Sequence, residues 1–247
     1  MTPQNHLTNI AAISQVKALT FDVFGTVVDW YSSIIADGEQ FGAEHGIDVD
    51  WSEFALAWRA GYGPAMARVR RGDLPWLKID TLHRMILDEL LDKFEITGLS
   101  EADKDQLNRV WHRLKPWPDA ISGLQRLRER FIVASLSNGN IALLTNMAKF
   151  SGLPWDCILS SELAKHYKPD PEVYQTAADL LDLPPNQVMM VAAHQGDLRA
   201  ARAVGFKTAF VPRPLEFGPD NTPDVTPEPW FDLVATDFNN LATQLGT

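Results

Sequence analysis

The chain has 247 residues, 45% of them hydrophobic and 22% charged, with a formal net charge of -10. That length suits one large domain or a core with an insertion, and that composition excludes disorder on a large scale. The acidic balance argues against nucleic-acid and anionic-membrane partners, but local cations can still hold a small anionic substrate.

In chain order, residues 1–16 read as a polar lead-in, whose NIAAI stretch is too short for a signal or anchor. No run approaches a membrane span, so a cytoplasmic protein is expected. VKALTFDVFGTVVD predicts a buried strand from Val16 to Asp22 running into a glycine-containing loop. Residues 32–115 then carry helical patterns near 32–45, 51–71, 76–95 and 100–114, with no convincing strand. KPWPD at 115–119 punctuates a return to alternation. Helices are expected at 119–130, 140–151, 171–182 and 197–204, between strands at 131–138, 157–161, 188–193 and 208–212.

Strands alternating with helices predict an α/β protein with a doubly wound, Rossmann-like parallel sheet. The expected core covers 17–31 and 116–247, with an all-helical cap at 32–115. Cys157 is the single cysteine, which excludes an intrachain disulfide and a cysteine metal cluster. Its apolar run WDCILSS reads as holding a buried, inert thiol. RVRRG at 68–72 reads as a solvated helix end.

Ligands of such sheets bind beyond the carboxyl ends of the strands. There the sequence places Asp22 through Thr26, then Ser137-Asn138-Gly139, then Tyr167-Lys168-Pro169-Asp170, then His194-Gln195-Gly196-Asp197. Singly, each residue could be a cap, a turn former or a surface cation. Four such groups at consecutive strand ends point instead to one crevice holding a carboxylate, a hydroxyl/amide pair, a lysine and a second carboxylate.

Asp22…Thr26, Ser137-Asn138, Lys168 and Asp197 resemble the four ordered motifs of the haloacid dehalogenase superfamily, over nearly the whole chain. The wording FDVFGTVVDW, SLSNGN and YKPDPEVY is similar to its L-2-haloacid dehalogenase (type II) branch. The resemblance implies a hydrolase in which Asp22 displaces halide from a small 2-haloacid through an ester that water then opens. It implies Lys168, Thr26 and Asn138 as support for Asp22, and Asp197 as the group that positions or deprotonates water. Ser137 matches the residue that binds substrate carboxylate, with the backbone around Val23 and Phe24. Arg59, in LAWRAG, matches an arginine that contacts halide and substrate, against the ordinary expectation that helix arginines face water. Tyr174 either reaches the site through its hydroxyl or is a core tyrosine.

Most members of the superfamily transfer phosphoryl groups with Mg²⁺. They carry an acid two residues after the nucleophile and a Gly-Asp pair after the fourth strand. Here those places hold Phe24 and Ala192-Ala193, so no metal and no cofactor are expected. His194 stands where the branch often has asparagine. It is either a donor to the departing halide, which would favour fluoride and make fluoroacetate a substrate, or a loop histidine satisfied by backbone. Trp30, Tyr31, Tyr62 and Trp76 are candidates for an apolar pocket wall. The alternatives are a phosphatase of the same superfamily, hydrolysis at another electrophilic carbon, and a non-catalytic binding module. A homodimer is common among such relatives.

Overall fold

A computed structural model describes residues 13–247. The lead-in therefore lies outside the described residues as far as position 12, and most of NIAAI with it. Among the described residues, six parallel strands form the main sheet, in the order β5-β4-β1-β6-β7-β8. They are β1 (Ala18–Phe21), β4 (Ile132–Ser137), β5 (Cys157–Ser160), β6 (Val188–Ala192), β7 (Lys207–Phe210) and β8 (Leu233–Val234). β1 sits between β4 and β6, with Phe21 level with Ser135 and Val191. The chain first builds outward on one side of β1 and then on the other. The carboxyl end of β1 is thus the point where strand order reverses and a crevice must open.

Two apolar clusters cover the two sheet faces, as period-2 alternation demands. Leu19, Phe21, Val133, Met189 and Val191 face one cluster, with α5 (Ala120–Leu127), α6 (Ile141–Ser151) and α10 (Phe238–Gln244). Ala134, Leu136, Val188, Met190 and Ala192 face the other, with α8 (Pro171–Leu180) and α9 (Gln195–Ala203). A further short helix, α7 (Ser161–Ala164), follows β5. Strands and helices run one to three residues shorter than the sequence patterns at most ends.

Between β1 and α5 the chain forms α1 (Trp30–His45), α2 (Trp51–Arg70), α3 (Ile79–Lys93) and α4 (Glu101–Asn108). The helix expected over 100–114 breaks at Asn108 into a 3-10 turn, Arg109–His112. Asp29 and Asp50 cap α1 and α2 through their carboxylates, and Ser100 with Asp103 forms a capping box on α4. Phe54, Trp58, Leu82 and Leu87 of these helices belong to the same apolar cluster as Phe21 and Val191. A two-residue antiparallel pair, β2 (Val28–Asp29) with β3 (Lys115–Pro116), ties the outgoing chain to the returning chain. Among the described residues no helix is long and apolar enough to cross a membrane.

Candidate active site

The carboxyl end of β1 puts Asp22 into a cavity of about 270 Å³. Asp22, Phe24, Arg59, Tyr62, Asn138, Lys168, His194 and Asp197 line it, together with Pro169 and Gly196. A larger surface groove of about 440 Å³, beside α1, shares no residue with it and holds none of the strand-end groups.

Every oxygen of the Asp22 carboxylate is engaged. Lys168 Nζ donates to Oδ1 at 2.9 Å. Thr26 Oγ1 donates to Oδ2 at 2.7 Å, and His194 Nδ1 meets the same oxygen at 2.8 Å. Ala193 N donates to Thr26 Oγ1 at 2.9 Å, which turns the hydroxyl proton toward Asp22. Burial alone would raise the Asp22 carboxyl, but Lys168 and then His194 outweigh it and hold it well below the usual carboxylate range.

Lys168 is shared: Nζ also donates to Asp197 Oδ2 at 2.5 Å. Burial works against its charge, yet Asp197 and Asp22 raise the ammonium above its ordinary value. Asp197 differs from Asp22. Burial raises its carboxyl, and the Asp22 charge adds to that rise against the pull of Lys168. Two carboxylates on one lysine are thereby split into one held ionised and one with a raised proton affinity. Tyr174 Oη donates to Asp197 Oδ1 at 2.5 Å, so this tyrosine reaches the site through an intermediary while its ring packs in the core.

Asn138 supports Lys168 rather than Asp22. Its Oδ1 accepts from Lys168 N and from Ser161 Oγ, each at 2.7 Å. Arg59 points inward from α2. Its guanidinium lies 4.7 Å from the Tyr62 ring centre and 5.8 Å from that of Trp30. Among the described residues, Arg59 Nε is buried without a hydrogen-bond partner.

Several expectations need correction. Ser137 is fully buried, its Oγ accepts from Gly139 N at 3.0 Å, and it does not line the cavity. Strand alternation puts it on the same sheet face as Val133, which packs in the first apolar cluster. The Val23 side chain is fully buried and Phe24 is part of the lining; the role expected of the backbone there is a matter of its N–H groups, not of these side chains. Of the four aromatics, only Tyr62 lines the cavity. Trp30 is buried and donates its indole N–H to Glu216, and Trp76 packs on Tyr167 at 4.7 Å between ring centres. Cys157 is half-buried rather than buried, and burial pushes its thiol up, away from thiolate chemistry. Arg70 pairs with Asp170 and Arg71 with Asp73, as befits a solvated helix end.

His194 lines the cavity, and neither of its two sequence readings accounts for the partners it has there. Both ring nitrogens meet carboxylates, Nδ1 at Asp22 and Nε2 at both Glu216 oxygens, 3.0 Å from each. Burial opposes its charge, but the hydrogen bonds to Asp22 and Glu216 lift it to about 10. Glu216 carries no expectation from the sequence. It lies in the loop after β7, is 1% exposed, and faces Arg59 Nη2 at 3.9 Å. The strand-end rule, applied to a fifth strand, is the signal that points to this loop.

A parallel α/β sheet whose central strand ends on an ionised carboxylate, flanked by a shared lysine and a second acid, defines an enzyme with a strand-end carboxylate site. A family model described as haloacid dehalogenase-like hydrolase matches residues 16–205. (S)-2-haloacid dehalogenase 4A of Burkholderia cepacia is 30% identical over 84% of this chain and 90% of its own length. The crystal structure of the L-2-haloacid dehalogenase PA0810 superposes with a TM-score of 0.88 at 48% identity, covering 94% of this chain and 100% of that one. That of the defluorinating L-2-haloacid dehalogenase Rha0230 does so with a TM-score of 0.92 at 44% identity, over 94% and 96% of the two chains. The chain belongs to the haloacid dehalogenase-like hydrolases, in their L-2-haloacid dehalogenase branch.

Proposed function

We propose that the protein hydrolyses the carbon–halogen bond of small L-2-haloacids and haloacetates through an ester on Asp22. The carrying observation is the state of that carboxylate. Lys168, Thr26 and His194 hold it ionised and oriented, while the position two residues on is Phe24, which cannot protonate a leaving group. Oδ1 attacks C2 in line with the carbon–halogen bond, and the halide departs with the bonding electrons. Arg59, with its unpartnered Nε, is the cation that receives the halide or substrate carboxylate. Asp197, with its raised proton affinity, deprotonates water for attack on the ester, and the 2-hydroxy acid leaves with Asp22 regenerated. Inversion at C2 turns an L-2-haloacid into the D-2-hydroxy acid.

The helices of 32–115 serve as a cap that brings Arg59 and Tyr62 over Asp22 and keeps water scarce during alkylation. Likeness to a structure described as a defluorinating L-2-haloacid dehalogenase supports fluoroacetate as a further substrate. A halide-release panel of fluoro-, chloro- and bromoacetate and both 2-chloropropionate enantiomers tests the reading, each run with EDTA and with Mg²⁺. Release from the L enantiomer, unaffected by chelator, is expected. Loss of release in EDTA, or turnover of p-nitrophenyl phosphate alone, would overturn it.

A further inference from the structure

Glu216 has no part in the steps above, yet it is a buried carboxylate within contact of the site. Its loop is fixed from below. Arg213 grips Asp119 with two hydrogen bonds of 2.8 Å and donates from Nε to Thr26 O at 2.9 Å, and Glu216 N in turn donates to Arg213 O at 3.1 Å. Glu216 Oε1 accepts from Trp30 Nε1 at 3.2 Å, and both its oxygens sit on His194 Nε2. The nucleophile loop is shaped around it: a Cβ on Gly25, where φ is +82°, would lie 2.2 Å from Glu216 Oε1.

The geometry fixes the state of the imidazole. An ionised carboxylate only accepts hydrogen bonds, and a neutral imidazole has one N–H. A ring with a carboxylate on each nitrogen is therefore doubly protonated. Besides Asp22 and Glu216, the charged groups around it are Lys168 and Asp197 behind Asp22, and Arg59 beyond Glu216. With His194 as a cation, this group of three anions and three cations balances.

That balance changes during the reaction, which is why a second carboxylate matters. Alkylation removes the charge of Asp22, so in the ester Asp22 no longer favours a proton on His194. Glu216 still does. The two oxygens of Asp22 are also unequal, Oδ1 taking one donor and Oδ2 taking two. The less encumbered Oδ1 is the better nucleophile, which leaves Oδ2 as the ester carbonyl oxygen. We propose that Glu216 is a positioning residue for the second half-reaction: it keeps His194 an imidazolium whose Nδ1–H, beside the Thr26 hydroxyl, receives the negative charge that builds on Asp22 Oδ2 when water opens the ester.

In that step the water oxygen bonds to Asp22 Cγ, its proton passes to Asp197, and the carbonyl electron pair moves to Oδ2. The pair then returns, the Cγ–Oδ1 bond breaks, the departing alkoxide takes the proton from Asp197, and the proton left on the incoming water oxygen is lost to solvent, which returns Asp22 to its carboxylate. The inference rests on the ester reading above.

Glu216→Gln keeps the shape and the acceptor for Trp30 but removes the charge. The variant should release about one halide per site in a fast burst and then turn over slowly. Ester hydrolysis above neutral pH should fall by roughly 10²–10³, the size of losing one oxyanion donor. Ester mass should accumulate on the Asp22 peptide, and the ratio of variant to wild-type turnover should recover as pH falls to about 6, where an ordinary imidazole regains its proton. A variant with the wild-type pH profile, or one slowed in both steps without accumulating ester, would overturn the proposal. Should the variant not fold, nitrogen-15 NMR of histidine-labelled wild type at about pH 8, where a free imidazole is neutral, decides. Both His194 ring nitrogens protonated would support the proposal, and a single neutral tautomer would overturn it. Wild type that releases no halide from any 2-haloacid would instead remove the functional reading, and that result is separable because the NMR is read on resting enzyme.

Discussion

Asp22→Asn should abolish halide release, lowering turnover on the order of 10⁴-fold or more, as loss of a covalent nucleophile does elsewhere. The amide is nearly the same shape, so the cavity survives. What disappears is the electron pair that attacks C2 and the charge that Lys168 and His194 face. The amide N–H₂ must also point at one of those two cations, replacing a charge-assisted bond with a donor–donor contact. Stability should fall as well. Asp22 is held below its unfolded value, so its contribution is present above the unfolded pKa of about 4 and is lost as pH falls below it. At neutral pH the variant lacks that contribution and wild type has it. Turnover should be measured on protein whose mass confirms that the introduced amide has not deamidated. Full activity of the intact Asp22→Asn variant would remove the aspartyl-ester account.

Lys168→Met should have the second-largest effect, on both activity and stability. Lys168 is buried between two carboxylates, at 2.9 Å from Asp22 and 2.5 Å from Asp197. Methionine fills similar space but leaves two acids facing each other without a cation. Removing one partner of a buried ion pair costs about 3–5 kcal/mol, or on the order of 6–20 °C in Tm for a chain of this size. The ammonium is raised above its unfolded value, so its stabilisation is complete below that value and is lost only as pH rises through the folded one. The full deficit should thus appear at neutral pH. It should shrink in mild acid, as one of the two carboxylates takes up a proton in place of the missing cation. Halide release should fall to background, because the acid that protonates is no longer a nucleophile or a base. An unchanged Tm at neutral pH, or turnover within about tenfold of wild type, too small a loss for a group holding the nucleophile ionised, would contradict this.

Much of the fold is legible in the sequence because burial leaves a periodic trace. β1, β4, β5, β6 and β7 are apolar runs buried in the sheet, and the helices between them alternate at the expected spacing. β2, β3 and β8 are two residues each. No periodicity exists over two residues, and their pairing is a tertiary fact. α10 is also short, closing against α5 after a loop rich in proline and acid.

The candidate site divides in the same way. Asp22 and Asn138 follow strand ends directly, and strand-end reasoning suffices for them. Lys168 stands beyond α7, several residues after β5, so its arrival at Asp22 depends on how α7 and the following loop pack. Ser137 failed as a lining residue because the pleat, not the motif, decides which way a strand residue points. Glu216 is only half legible: the end of a fifth strand points to its loop but not to this side chain. A glutamate in RPLEFGPD looks solvated, and only the fold shows Trp30, His194 and Gly25 closing around it.

A single turnover in water labelled with heavy oxygen, with enzyme in excess over L-2-chloropropionate, tests the ester most directly. The label should enter the Asp22 carboxylate, and the first 2-hydroxy acid released should carry none, its new oxygen coming from Oδ1. Label in that first product, with the Asp22 peptide unlabelled, would mean that water attacks C2 itself and that Asp22 is never alkylated.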